Sequence, residues 1–190
     1  MVRRLKTSLL PFREDLVLSC KLSAIVAVCD DWGIGRNGGM VVANKQDMRH
    51  FVNATTGHPV IMGRKTLESF PGGRPLKNRR NIVLTRDPFF HREGVEFVHS
   101  VERALDLVCD EDEAWIVGGG QVYQQFLPYC QRAVVTKNHC LRAADAYFPN
   151  LDQDEGWELV EQTDPITLGR GEGDEGVSFS FATYERRQLG

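Results

Sequence analysis

Apolar positions along this chain fall into short runs, each followed by glycines or by an amphipathic stretch. Residues 22–29 (LSAIVAVC) form the first run, which predicts a strand covered on both faces. A glycine-dense loop follows over residues 32–40, where glycine permits unusual backbone angles and movement. Asn44 then precedes a stretch in which Asp47, Met48, Phe51 and Val52 recur at helical spacing, and Asn44 suits the cap of that helix. Thr55-Thr56-Gly57 stops it. Residues 58–62 predict a second buried strand, and Gly63 leads at once into a short helix ending at Phe70. A loop over 71–75 precedes strands at 81–85 and 95–98. Ser100 caps a helix over 101–109, with Glu102 and Asp106 facing water. A strand at 114–117 runs into Gly118-Gly119-Gly120 and a helix over 121–126, closed by Pro128. Further strands are expected at 132–138 and 158–162, with a turn at 145–149 and a mobile Gly- and acid-rich loop at 165–176. Residues 177–186 alternate as a half-exposed antiparallel strand does.

Strands alternating with helices, then strands at the end, predict a single α/β domain. Its central sheet is mostly parallel, with helices on both faces and an antiparallel C-terminal hairpin on one edge. Ligands of such sheets lie beyond the carboxyl ends of the strands. Asp47, the Gly63–Thr66 segment, Arg86 and the three glycines at 118–120 all follow strands, so they are expected to meet in one cleft.

The length of 190 residues suits one domain, placed at 21–190. Residues 1–20 are read as an extension, disordered or packed outside it, because Arg13, Glu14 and Asp15 interrupt what a secretory signal needs as an apolar core. A net charge of -3 gives no support to a nucleic-acid or membrane-surface role, and no apolar run approaches a membrane span. Five scattered cysteines without a CxxC pair read as reduced thiols in a cytoplasmic protein, and no metal site is expected.

The residues themselves carry two chemical signals. Asp47 on an apolar stripe is costly to bury unless something binds it, although an acid in a first helical turn is also favoured by the helix dipole. The two strand–glycine–helix junctions present free backbone N–H groups to a phosphate, with Arg64 and Lys65 adding charge at the first.

Taken together, Val60-Ile61-Met62-Gly63-Arg64-Lys65-Thr66, Arg79-Arg80-Asn81-Ile82-Val83-Leu84-Thr85 and Ile116-Val117-Gly118-Gly119-Gly120-Gln121-Val122-Tyr123 make the chain resemble the bacterial dihydrofolate reductases, from about Leu22 to Tyr184. The resemblance implies reduction of 7,8-dihydrofolate with NADPH by a monomer. Asp47 would pair with the pterin N3 and 2-amino groups, and Thr136 would hydrogen-bond both Asp47 and the pterin. Met48, Phe51, Phe70 and Leu76 would wall the pterin and aminobenzoyl rings, and Arg79 would clamp the glutamate α-carboxylate. Ile25, Ala27 and Val117 would line the pteridine and nicotinamide rings, with Tyr123 beside the nicotinamide. The cofactor's pyrophosphate would lie on Gly63 to Thr66 and on Gly118, Gly119, Gly120, Gln121 and Val122, the first two of those glycines joined by a cis peptide. Arg64, Lys65 and Arg86 would take the adenosine 2′-phosphate, and Leu84, Thr85, Ile34 and Gly35 complete the cofactor contacts. The loop ending at Met40 would close over the nicotinamide.

One departure stands out. The family commonly carries Met-Pro-Trp where this chain has Met40-Val41-Val42, and Val42 has no N–H to offer a water near the pterin O4. Trp32, on the other side of the loop, is not expected to replace it. Two other readings remain open: a pyrimidine reductase of riboflavin synthesis, and a non-catalytic NADPH-binding protein.

Overall fold

The structure, a computed structural model, describes residues 20–187. The expected extension lies outside that range apart from Cys20, which is buried in the core. In chain order the chain forms β1 (Lys21–Val28), β2 (Gly33–Arg36), β3 (Gly39–Met40), α1 (Lys45–Thr55), β4 (Val60–Gly63), α2 (Arg64–Ser69), β5 (Asn81–Leu84) and β6 (Val95–Val98). Then come α3 (Val101–Val108), β7 (Glu113–Gly118), α4 (Gly120–Phe126), β8 (Arg132–Asn138), β9 (Ala146–Tyr147), β10 (Trp157–Gln162), β11 (Ile166–Thr167) and β12 (Ser178–Arg186).

The main sheet runs β10-β12-β8-β1-β7-β4-β5-β6, with β11 also paired to β12. Pairings from β8 through β6 are parallel, and those of β12 are antiparallel. The central strands read as continuous apolar runs because both faces are covered. On β1, Leu22, Ala24, Val26 and Val28 face one core, while Ile25 faces the other. The first core is closed by Ala104, Leu105 and Val108 of α3 and by Val122 and Phe126 of α4. The second is closed by Phe51 of α1 and Leu67 of α2. The mostly parallel sheet, the helices on both faces and the C-terminal antiparallel edge are therefore as the apolar pattern implies.

Three local expectations need correction. The glycine-dense stretch is a β-hairpin of β2 and β3, turned at Asn37 and Gly38, whose φ values of 52° and 79° suit a two-residue turn. The Asn-Gly pair was the visible signal for it. The expected turn at 145–149 contains β9, which pairs with β2 and makes a separate three-stranded sheet.

The third correction concerns residues 165–176. Instead of a free mobile loop, this segment includes β11 and then grips the start of α1. Lys45 N donates to Glu172 O at 2.8 Å, and Asp174 N donates to Ala43 O at 2.8 Å. Asn44 and Gly173 form an isolated antiparallel bridge. Its acids are partnered as well: Glu172 by Arg49 at 3.0 Å, Asp174 by Arg142 at 2.9 Å. Exposed ion pairs of this kind add little, so the backbone bonds carry most of the grip.

Gly173 is the position this arrangement depends on. Its φ is +126°, and a Cβ there would lie 2.0 Å from Ala43 O. Gly173→Ala is expected to cost about 1–3 kcal/mol or more in chemical denaturation, from backbone strain plus the clash. Gly171→Ala also places a side chain at positive φ (+81°) but meets nothing within 4 Å, so it is expected to cost less. Equal losses in the two variants would mean that the close approach to Ala43 does not set the cost.

Candidate active site

The helix that carries the candidate carboxylate is set by its cap. Asn44 is extended, and its Oδ1 accepts from Gln46 N at 2.9 Å and Asp47 N at 3.0 Å. That bond fixes the first turn and aims Asp47 inward. Asp47 is only 6% exposed, and its Oδ1 accepts from Thr136 Oγ1 on β8 at 2.6 Å. An acid serving only the helix dipole gains nothing from such burial. Burial raises the Asp47 pKa above the usual carboxylate value; the Thr136 hydroxyl and the charge of His50 pull the other way without cancelling it.

Asp47 lies in the wall of a cleft of about 1640 Å³. Around it the wall is made by Ile25, Ala27, Met40, Met48, Phe51, Phe70 and Val117. The helical stripe divides: Met48, 46% exposed, lines the cleft, whereas exposed Val52 does not. Thr136 reaches the cleft only through Asp47. Leu76 packs, partly buried, against the second core and does not line the cleft. Arg79 is also outside the lining; its Nη1 donates to Thr55 Oγ1 at 3.0 Å, and its guanidinium sits 5.8 Å from the Phe51 ring centroid.

The far end of the cleft is built by the two strand–glycine–helix junctions. Gly63, Arg64, Lys65 and Thr66 line it from β4 and α2; Gly118, Gly119, Gly120, Gln121 and Val122 line it from β7 and α4. The junctions pack so closely that a Cβ on Gly63 would lie 3.1 Å from Val122 Cγ2. Gly118 has φ +113°, the Gly118–Gly119 peptide is cis, and a Cβ on Gly118 would meet the Tyr123 ring at 3.1 Å. Tyr123 lines the cleft too, but its hydroxyl donates to Ile25 O at 2.7 Å. Burial, then the Asp47 charge, holds that phenol neutral. Leu84 ends β5, Thr85 and Arg86 follow it into the same end, and Ile34 and Gly35 enter from β2. Lys65 and Arg86 are exposed, and Arg64 contacts Glu68 at 3.8 Å and Asp87 at 3.5 Å with its guanidinium 5.5 Å from the Phe90 ring centroid.

Several lining residues escaped sequence reasoning. Ala146 and Tyr147 of β9 line the cleft, and Asp145 Oδ2 accepts from Asn37 N at 2.8 Å, tying the hairpin tip down. No local pattern marks a two-residue strand. His99 and Ser100 also reach the cleft; His99 Nδ1 meets Thr85 O at 2.7 Å. Only the fold brings them beside Arg86. Where the chain departs from Met-Pro-Trp, Val42 is 2% exposed and off the cleft wall, and Met40 is exposed within it. Trp32 is buried in the first core against Phe148 and Tyr184, and so is no substitute.

Comparison with known proteins matches this architecture. The family model described as dihydrofolate reductase matches residues 21–186. A dihydrofolate reductase of Staphylococcus haemolyticus is 38% identical over 166 residues, 87% of this chain and 96% of the relative. One from Bacillus subtilis is 34% identical over 166 residues, 87% of this chain and 95% of its own. Among solved structures, dihydrofolate reductase from Enterococcus faecalis complexed with NADP(H) and RAB-propyl has a TM-score of 0.79 at 31% identity, covering 88% of this chain and 97% of that one. With the buried carboxylate, the paired glycine junctions and these similarities agreeing over nearly the whole described chain, the protein belongs to the dihydrofolate reductase family of oxidoreductases.

Proposed function

We propose that this chain reduces 7,8-dihydrofolate to 5,6,7,8-tetrahydrofolate with NADPH, by hydride transfer to pterin C6 and protonation at N5, supplying one-carbon metabolism. One observation carries the reading: a buried carboxylate, anchored by Thr136, in the wall of a cleft whose other end gathers Arg64, Lys65 and Arg86. A planar heterocycle with adjacent N–H donors is what a buried, otherwise expensive carboxylate can bind with two parallel hydrogen bonds. The cluster of cations suits the 2′-phosphate that distinguishes NADPH from NADH.

The residues fit the cofactor. A Cβ on Gly63 or Gly118 would crowd Val122 or Tyr123 at 3.1 Å, so the two junctions pack backbone against side chain, and the free N–H groups at such junctions suit a phosphate. When bound, NADPH supplies the hydride. The protein's own part is orientation and exclusion of water. Thr136 holds Asp47 in one orientation, and Asp47 holds the pterin by its N3 and 2-amino edge. Ile25, Ala27 and Val117 give the rings a flat apolar seat, which Tyr123 stiffens by binding Ile25 O. Met48, Phe51 and Phe70 flank the aminobenzoyl ring, with Leu76 backing them. Arg79, over the Phe51 ring, meets the glutamate carboxylate. Asp47 lies on the far side of the pterin from N5, so it acts through tautomer and field, and water entering past exposed Met40 brings the proton. Val42, turned into the interior, adds no donor to that edge.

The direct test is oxidation of NADPH with and without dihydrofolate. Asp47→Asn is expected to lower turnover by about 10²-fold or more while NADPH binding persists; near wild-type turnover would remove Asp47 from the chemistry. The same variant reads out burial. The folded carboxyl titrates above its unfolded value, so its stability contribution is full below the unfolded pKa and is lost as pH rises through the folded one. Asparagine cannot ionise, so the melting-temperature advantage of Asp47→Asn over wild type is expected to grow from acid to neutral pH. An advantage independent of pH would contradict the raised pKa.

For the cofactor, neutral replacement of Arg64 and Arg86 together is expected to raise the Kd for NADPH by about tenfold or more and leave NADH nearly unchanged. Equal losses for both cofactors would show that these cations do not face the 2′-phosphate.

A further inference from the structure

Three residues beyond Asp47, α1 carries an imidazole, His50, which the reading above does not use. An i, i+3 spacing puts both on one helix face. The sheet below is in register with them: Asp47 meets Thr136 of β8, and the His50 ring lies 4.4 Å from the ring of Phe181 on β12. Thr136 and Phe181 are direct cross-strand partners, so the two helix side chains seat on one rung of the sheet. His50 Nε2 is buried with no hydrogen-bond partner among the described residues. A bare acceptor nitrogen is cheaper to bury than a bare N–H, which favours the Nδ1–H tautomer and leaves the Nε2 lone pair to take a proton.

We propose that His50 is a positioning residue for the reaction: it acts through Asp47 and sets the pH at which that carboxyl holds its proton. The inference rests on the reading of Asp47 as the pterin-binding carboxylate. Burial lowers the pKa of His50 and raises that of Asp47, while each charge opposes that shift in the other, so a change of charge on either moves the titration of its neighbour. The surroundings leave this pair to itself. β12 offers His50 an aromatic ring, β8 offers Asp47 an uncharged hydroxyl, and Tyr123 of α4 stays neutral. Arg49, next along the helix, is turned to Glu172 of the gripping loop.

Two measurements test it. In the first, the imidazole of His50 is titrated by NMR in the wild-type chain and in Asp47→Asn. Loss of the carboxylate is expected to move the His50 midpoint to lower pH; unchanged midpoints would overturn the coupling. In the second, turnover is followed against pH for His50→Phe, which keeps a ring on Phe181, and for His50→Gln. Turnover is expected to fall as pH rises, because N5 takes a proton and the Asp47 carboxyl loses its own. Removing the charge that His50 carries when protonated is expected to move the midpoint of that fall upward by about half a pH unit, the size of one screened charge a helix turn away. A midpoint unchanged in both variants, whatever their stability, would reduce His50 to packing. Should Asp47→Asn keep full turnover, the reading of Asp47 fails instead, and the NMR titration still decides whether the two groups are coupled.

Discussion

Thr136 donates its hydroxyl to Asp47 over 2.6 Å, joining the first helix to a central strand at the one charged side chain that is buried among the described residues. An ionised carboxyl buried without partners costs several kcal/mol. One hydroxyl offsets part of that, and the pKa remains raised. The carboxylate is therefore held ready for hydrogen-bond donors it does not find in the protein. A site of this kind gains affinity for a ligand whose donors match it and rejects one whose donors do not, because mismatch leaves buried polar atoms unpaired.

Holding α1 in place takes more than that bond. The Asn44 cap orders its first turn, and the loop after β11 binds the backbone of 43–45 from the opposite side. This region holds Val41 and Val42, where the family resemblance implies a proline and a tryptophan. Proline would restrain the backbone through φ. Here the restraint comes from outside the segment, through Gly173, Asp174 and the Arg142 contact to Val41 O at 3.4 Å. The hairpin of β2 and β3 is tethered in the same manner, by β9 and Asp145.

The two ends of the cleft follow different physics. Near Asp47 the walls are apolar, few polar atoms are present, and each one matters. At the glycine junctions the backbone itself is the surface, and exposed Lys65 and Arg86 supply charge to it. Tyr123 links the two: its ring packs on Gly118, and its hydroxyl fixes the Ile25 carbonyl beside the carboxylate end.

Much of this was legible in the amino-acid order. Continuous apolar runs mark strands covered on both faces, Asn44 and Ser100 mark helix starts, and Gly63 and Gly118–Gly120 mark the junctions, because each feature is set within a few residues. Asn37-Gly38 was equally local and was there to be read as a hairpin turn. What tertiary structure decided is non-local. Thr136 faces Asp47 only because β8 pairs with β1 in the register that sets Thr136 opposite Ala27. A slip of one residue would turn that hydroxyl to the other face. Ala146 and Tyr147 reach the cleft only by pairing across more than a hundred residues, and residues 172–174 are held by the backbone of residues 43–45, far earlier in the chain. Periodicity assigns a residue to a strand or a helix; only the packed sheet decides which distant atom its side chain meets.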